Sequence, residues 1–317
     1  MTTVGALWLC KRHKKLPWRK PRQFFIVLAK EMAIFLTFLY TKQLKITKKA
    51  LTNWASCDIL LNGLLKGGDR LPRFFVTSTQ ITDNTVTIIG EDAHHLSRAL
   101  RCAVGDHITV CDMSSTEYDC ELTDFLPDRV LAKICSSRAS DTEAPFRITL
   151  FQALPKGDKL ETVIQKAVEC GVHAIVPFES ERCVVRVKRE NEQKKTERRQ
   201  RIADEAAKQC GRGVLPRVSE TVSFADMLQQ AGEADVVLFC YEGDGTAPIG
   251  TLLKQLRPSA VQSIALVIGS EGGFSQKEAQ AANEKGFWMT GLGPRILRTE
   301  TAPLFALACI SCYSELS

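Results

Sequence analysis

A chain of 317 residues with 44% hydrophobic and 25% charged side chains can bury at least one large core and divide into roughly two domains, which excludes a disordered or fibrous polypeptide. Its twelve cysteines are scattered from Cys10 to Cys312, and the one CxxC, Cys309 and Cys312, sits in an apolar helical pattern with no second pair or His cluster; this argues for reduced thiols in a cytoplasmic protein, with no metal site and no disulfide framework. The net charge of +6 is unevenly divided: residues 1–70 hold 14 Lys and Arg against 3 acids, a net of +11, which leaves −5 for the rest and excludes a general attraction to anions beyond residue 70.

Residues 1–70 carry basic clusters, "KRHKK" and "WRKPR", then the run "FFIVLAKEMAIFLTFLY", 17 residues interrupted by Lys30 and Glu31. The central charge pair and the lack of a small-residue cleavage site argue against both a membrane anchor and a signal peptide. The texture changes at "KGGDRLPRFF". Lys66 to Leu71 can be encoded by AAA GGA GGT GAT CGN TTG, a purine-rich ribosome-binding sequence, a spacer and an alternative start codon. The expectation is that residues 1–70 are an extension of translated upstream sequence, outside the native chain or disordered, with Leu71 read as the initiating Met. A genuine basic, amphipathic extension that anchors the protein to a membrane or the ribosome is the competing reading.

From residue 71 the elements follow in order. "RFFVTS", "TVTIIG", "HITVCD", "YDCELTDFL" and "RVLAKICS" are short strands rich in Val, Ile, Thr and aromatics, spaced by Gly, Asp and Asn turns; they predict a small β-barrel or sandwich over residues 71–140. Within it, "HHLSRALR" spaces Arg98 and Arg101 on one helical face. A polar linker spans residues 140–145. The period then changes over residues 145–317: strand "FRITLFQAL", helix "DKLETVIQKAVECG", strand "HAIVPFES", a charged helix from about Asn191 to Cys210, strands "ADVVLFCYE" and "SIALVIGS", helix "SQKEAQAANEKG", and a last helix from Thr301. Strands alternating with helices predict a mainly parallel α/β sheet.

Such a sheet places its ligand at loops after the carboxyl ends of strands. Three loops have suitable chemistry: "YEGDG", "GSEGGF" and "GLGPRILR". In the second, Gly269, Gly272 and Gly273 let the backbone approach a ligand, and Ser275 with Glu278 forms a capping box for the next helix. A dinucleotide fits poorly, because "GSEGGF" is not GxGxxG and Glu271 puts a carboxylate where a pyrophosphate would sit. A cationic or zwitterionic ligand with an adenosine-like body fits better.

The stretches "ALPKGDKLETVIQKAVECGV", "SERCVV", "IGSEGGFS" and "LGPRILRTETA", with "PRFFV" and "EDAHHLSRALRCAVGD" before them, resemble the 16S ribosomal RNA (uridine N3) methyltransferase family of the SPOUT superfamily over essentially all of residues 72–317. Ser270 departs from the family pattern, which has Pro there. The resemblance implies a PUA-like β-barrel, then an α/β domain whose C-terminal part is threaded as a trefoil knot. It also implies a homodimer that binds S-adenosyl-L-methionine in the knot and methylates N3 of a uridine in 16S ribosomal RNA, in the assembled or nearly assembled small subunit, with no membrane partner. The cofactor-binding residues it implies are Leu238, Tyr241 and Glu242 in the first loop region, Ile268, Gly269, Glu271, Gly272 and Gly273 in the second, and Leu292, Gly293, Ile296 and Leu297 in the third.

Uridine N3 is weakly acidic, and once deprotonated it can attack a sulfonium methyl in line, so positioning and charge stabilisation carry the catalysis. Arg298 is the candidate for stabilising the uracil anion and Glu300 is a second catalytic candidate; an ion pair of Arg298 with Glu300, or Glu300 as a first-turn helix acid, is the structural alternative. Residues 181–217 hold 12 Lys and Arg against 6 acids, which in an otherwise acidic context makes a phosphate-binding patch or a solvated helix face. The candidates for RNA contact are Arg73, Arg98 and Arg101 in the β region and Arg198, Arg199 and Arg212 in the basic stretch. Two other readings stay open: a related enzyme acting on another RNA base, and a non-catalytic RNA-binding module.

Overall fold

The structure is a computed structural model that describes residues 71–187, 189–256 and 261–316. Both readings of residues 1–70, upstream sequence or basic anchor, fall outside the described residues. Among the described residues, no helix is long and apolar enough to cross a membrane.

The first six strands are β1 (Arg73–Phe75), β2 (Ile81–Thr82), β3 (Thr85–Ile89), β4 (His107–Cys111), β5 (Thr116–Phe125) and β6 (Arg129–Ala139), hydrogen-bonded in the order β1-β4-β5-β6-β3-β2. Only β1 and β4 run parallel. The alternation in the sequence decides which face is buried: Val86 and Ile88 of β3, and Ile108 and Val110 of β4, point into a core shared with Phe74, Leu96, Leu122 and Val130. Two register shifts between β5 and β6 bend these long strands around that core. β2 had no periodic signal; it is a two-residue strand turned back onto β3 at Asp83, whose φ is 50°.

A short helix, α1 (Gly90–His94), runs into a π-helical turn over His95–Ala99. The shared helical face expected for Arg98 and Arg101 therefore does not form. The helix has ended by Arg101, whose backbone is left-handed at φ 53°.

The second sheet is all-parallel. Its strands are β7 (Arg147–Ala153), β8 (Ala174–Glu179), β9 (Arg217–Val218), β10 (Val222–Ser223), β11 (Val236–Cys240), β12 (Ala247–Pro248), β13 (Ser263–Ile268) and β14 (Trp288–Gly291), in the order β10-β8-β7-β13-β11-β14-β12 with β9 on β8. "ITLF", "VVLF" and "IALVI" occupy the centre, where helices cover both faces and near-continuous apolar runs are required. The helices are α2 (Lys159–Glu169), α3 (Glu192–Cys210), α4 (Phe224–Ala231), α5 (Ile249–Leu253), α6 (Gln276–Glu284) and α7 (Ala302–Ser314). α3 stops at Gly211, which takes φ 85° as a left-handed cap. The chain leaves β10 at one edge and enters β11 on the far side of β7 and β13, so the carboxyl ends of β7, β13, β11 and β14 meet where the strand order reverses.

Ionic contacts tie the two sheets together. Arg73 Nη1 donates to Glu117 Oε1 at 2.7 Å, to Cys111 Sγ at 2.9 Å and to the Arg212 carbonyl at 3.1 Å. Glu117, 2% exposed, also accepts from Arg138 and Ser140. Lys208 of α3 reaches Asp92 at 2.8 Å and lies 5.9 Å over the Phe74 ring. Burial raises the Glu117 carboxyl, but the hydrogen bonds from Arg73, Arg138 and Ser140 outweigh it and bring the pKa from 4.5 to about 2. A folded pKa below the unfolded one contributes stability above pH 4.5 that is lost as pH falls toward about 2. Glu117→Gln is thus expected to cost on the order of 2–3 kcal/mol at pH 7 and to flatten the loss of stability between pH 5 and 2. Denaturant unfolding across that range checks it, and parallel pH profiles for the two proteins would refute it.

Candidate functional site

The carboxyl ends of β11, β13 and β14 open into a cleft of about 910 Å³. Each wall begins where an apolar strand gives way to glycine. After β13, Gly269 sits so close to the returning chain that a Cβ there would lie 3.2 Å from both Gly273 Cα and the Phe274 ring. Gly273 closes this turn at φ 63° by donating its amide to the Ser270 carbonyl at 2.9 Å. The capping box then starts α6: Glu278 accepts from the Ser275 amide at 2.9 Å with one oxygen and from the Glu181 amide at 2.7 Å with the other. After β11, the Tyr241 ring lies over Gly243, where a Cβ would collide with it. At the end of β14, Gly291 passes Thr246, and the chain continues into Leu292–Arg298.

Buried polar contacts hold these loops in register. Gln152 at the end of β7 is fully buried; its Nε2 donates to Thr299 Oγ1 at 3.1 Å, and Thr299 Oγ1 donates to the Gly269 carbonyl at 2.8 Å. This links the second and third loops to each other and to β7. Glu271 accepts from the Lys156 amide at 3.1 Å and from Lys159 Nζ at 2.9 Å, while Glu300 Oε2 lies 3.3 Å from the same ammonium without hydrogen-bond alignment. Partial burial raises the Glu271 carboxyl, but the hydrogen bonds from Lys159 and from backbone amides, with the Lys159 charge, together outweigh it and leave it below the ordinary range; the bond to Glu271 holds Lys159 above its own.

Eleven of the twelve residues expected around a cofactor line the cleft: Tyr241, Glu242, Ile268, Gly269, Glu271, Gly272, Gly273, Leu292, Gly293, Ile296 and Leu297. Leu238 does not, being fully buried within β11. Arg298 is exposed on the cleft wall, and its guanidinium has no partner among the described residues. The ion pair of Arg298 with Glu300 is not formed, since Glu300 faces Lys159. The loop walls supply backbone amides, apolar surface and carboxylates, and the one lysine lining the cleft is engaged by Glu271 and Glu300. Those inner walls suit an adenosine-bearing cation, while the three arginines that also line the cleft, Arg182, Arg295 and Arg298, are exposed to solvent.

Three of the six arginines expected on RNA are held inside the protein. Arg73 is bound to Glu117, Cys111 and the Arg212 carbonyl. Arg199, with its side chain 11% exposed, pairs with the buried Glu192 at 3.0 Å. Arg212, 4% exposed, donates to Glu143 and to the carbonyls of Val168 and Val172. A guanidinium so enclosed presents little surface to a phosphate, so the structure sets these three arginines in contacts within the protein and not on an open face. Arg98 and Arg101 are exposed, and Arg198 is 69% exposed with one bond to Glu161 at 2.9 Å.

Gln152, Lys159, Arg182, Thr246 and Thr299 were not singled out by sequence. Gln152 had a readable signal, a polar residue inside the otherwise apolar strand "ITLFQA", which needs a buried partner. Lys159 had none, because its partners lie 112 and 141 positions away.

Residues 142–311 match the family model of an RNA methyltransferase domain, and residues 88–135 that of an RNA methyltransferase PUA domain. The chain is 37% identical over 253 residues to the ribosomal RNA small subunit methyltransferase E of Bacillus subtilis, covering 78% of this chain and 98% of that protein. The crystal structure of a ribosomal RNA small subunit methyltransferase E from Neisseria gonorrhoeae bound to S-adenosyl methionine superposes with a TM-score of 0.66 at 32% identity, over 76% of this chain and 97% of that one. A methyltransferase from Legionella pneumophila in complex with the same cofactor gives 0.67 at 29%, over 77% and 98%.

Proposed function

Because the chain belongs to the RNA methyltransferase family that includes the ribosomal RNA small subunit methyltransferase E proteins, we propose that it methylates N3 of a uridine in 16S ribosomal RNA, using S-adenosyl-L-methionine. The observation that carries this reading is the glycine-walled cleft at the strand-order reversal, whose three loops are tied through Gln152 and Thr299. S-adenosylmethionine supplies the methyl group on a sulfonium centre. The protein's own residues bind and orient. Backbone groups of Gly269, Gly272, Gly273 and Gly293 receive the cofactor's polar edges, Ile268, Leu292 and Leu297 cover its apolar body, and Glu242 favours its positive charge. Arg298, unpaired on the wall, stabilises the uracil anion formed when N3 gives its proton to solvent. Glu300 positions Lys159 beside the cofactor loops.

The three loops are threaded as a trefoil knot in this reading, supported by the third loop being pinned to both Gln152 and the second. Residues 71–140 serve as the RNA-binding PUA-like domain and residues 145–317 as the catalytic domain, with Arg98, Arg101 and Arg198 touching RNA. The chain acts as a cytoplasmic homodimer on an assembled or nearly assembled small subunit. Sedimentation showing only monomers in the active protein would defeat the dimer.

Mass mapping of small-subunit RNA from cells with and without this protein tests the assignment: one N3-methyluridine should disappear with the gene. Methylation unchanged in that RNA, with S-adenosylhomocysteine still bound, would point instead to another RNA. Gly272→Val tests the cleft, because its Cβ would meet Arg182 Cβ at 3.0 Å and push the loop inward. A tenfold to hundredfold weaker S-adenosylhomocysteine affinity is expected, with a loss of unfolding free energy of about 1–3 kcal/mol for the overpacked contact. Calorimetry that finds wild-type affinity would remove Gly272 from the cofactor wall.

A further inference from the structure

We propose that Arg182 and Arg295, on different loops lining the cleft, form beside Arg298 a cationic rim that grips RNA phosphates next to the target nucleotide. This rests on the reading of the cleft as the methyl-transfer site. Arg182 follows β8 on a loop pressed against the cofactor wall: its Nη1 donates to the Gly272 carbonyl at 3.0 Å, and the rest of its guanidinium is exposed. Arg295 and Arg298 lie on the third loop, line the same cleft and are exposed.

What marks these three is that they line the cleft together and lack a counter-ion there. In the adjoining basic stretch, Arg186 lies 3.9 Å from Glu179, Arg198 is 2.9 Å from Glu161 and Arg199 is 3.0 Å from Glu192. Arg182, Arg295 and Arg298 have no carboxylate within ion-pair distance among the described residues, although Glu271 lies in the same cleft and is engaged by Lys159 instead. Three like charges around one opening repel one another and stay solvated until an anion arrives. A guanidinium has five donors in a fork that matches a phosphate, and Arg182 uses only one on the protein. Arg182 and Arg295 come from different loops of one cleft, so phosphates on either side of an extruded nucleotide fit the rim better than one isolated anion. Because Arg182 also holds the Gly272 carbonyl, a phosphate on its free donors steadies the cofactor loop at the same time.

The test is the double variant Arg182→Gln with Arg295→Gln, in which the new side chain at position 182 keeps an amide donor for the Gly272 carbonyl and only charge is lost. Equilibrium affinity for a 16S ribosomal RNA transcript is measured over a salt series, with S-adenosylhomocysteine calorimetry alongside. The expected result is RNA binding weaker by about tenfold per arginine and a log–log salt slope flatter by about 1.5, at cofactor affinity within about threefold of wild type. An unchanged affinity and slope overturns the rim. So does cofactor affinity falling tenfold with RNA binding intact, which assigns the arginines to the cofactor's carboxylate. Wild-type protein that shows the salt effect but transfers no methyl to the transcript or to small subunits defeats the proposed reaction and leaves the rim standing.

Discussion

Replacing Arg298 with Ala is expected to lower methyl transfer at saturating substrates by about a hundredfold to a thousandfold, while S-adenosylhomocysteine affinity stays near wild type. The size follows from what the side chain is and is not doing. Its guanidinium lies exposed on the cleft wall with no partner among the described residues, so its removal leaves no buried group unsatisfied. Glu300, the neighbour that would have made it a structural residue, is turned toward Lys159 at 3.3 Å. The work left to Arg298 is charge stabilisation where negative charge develops on the uracil oxygens. Single-turnover rates and calorimetry on the same protein separate the outcomes. Equal losses of rate and cofactor affinity would make Arg298 a cofactor-loop residue, and an unchanged rate would end its catalytic role.

Arg212→Leu is expected to cost about 3–5 kcal/mol of unfolding free energy, the range for breaking one side of a buried ion pair. The side chain is 4% exposed, and its donors are taken by Glu143 at 3.0 Å and by the carbonyls of Val168 and Val172, both at 3.0 Å. Glu143 in turn accepts from the amides of Gly213 and Val214. Leu at this position would leave a half-buried carboxylate and two buried carbonyls without their cation, in the segment that joins the two sheets. Denaturant unfolding measures the loss, with Arg198→Ala as the comparison: its exposed pair to Glu161 should be worth under about 1 kcal/mol. If Arg212 instead served RNA directly, stability would hold and the salt slope of RNA binding would flatten.

The elements with strong periodicity were legible in the sequence. The strand "SIALVIGS" became β13 (Ser263–Ile268), the charged helix expected from about Asn191 to Cys210 became α3 (Glu192–Cys210), and the capping box at Ser275 and Glu278 opened α6 (Gln276–Glu284). Most of the elements missed were short: β2 (Ile81–Thr82), β9 (Arg217–Val218), β10 (Val222–Ser223), β12 (Ala247–Pro248) and α5 (Ile249–Leu253) span two to five residues, too few to repeat a period, and exist because neighbours supply their partners; the eight-residue α4 (Phe224–Ala231), capped by Ser223, was missed as well. The helical face expected for Arg98 and Arg101 failed because a π-helical turn changes the angle per residue, and Arg101 leaves helical geometry altogether.

For the site, the sequence by itself determined where the chain would be open to a ligand. Glycines at 269, 272, 273 and 293, following apolar strands, mark backbone that must turn sharply or approach a ligand closely, and that requirement is local. Which charges are free was decided only by the tertiary structure. Arg73 and Arg212 look like Arg182, Arg295 and Arg298 in the sequence, yet the first two are closed by Glu117 and Glu143 at separations of 44 and 69 positions, and the others meet no carboxylate among the described residues. Charge is a property of a residue, but its availability depends on the counter-ion that folding brings alongside. A partner brought from a distant part of the chain leaves no periodic trace in the sequence around either residue.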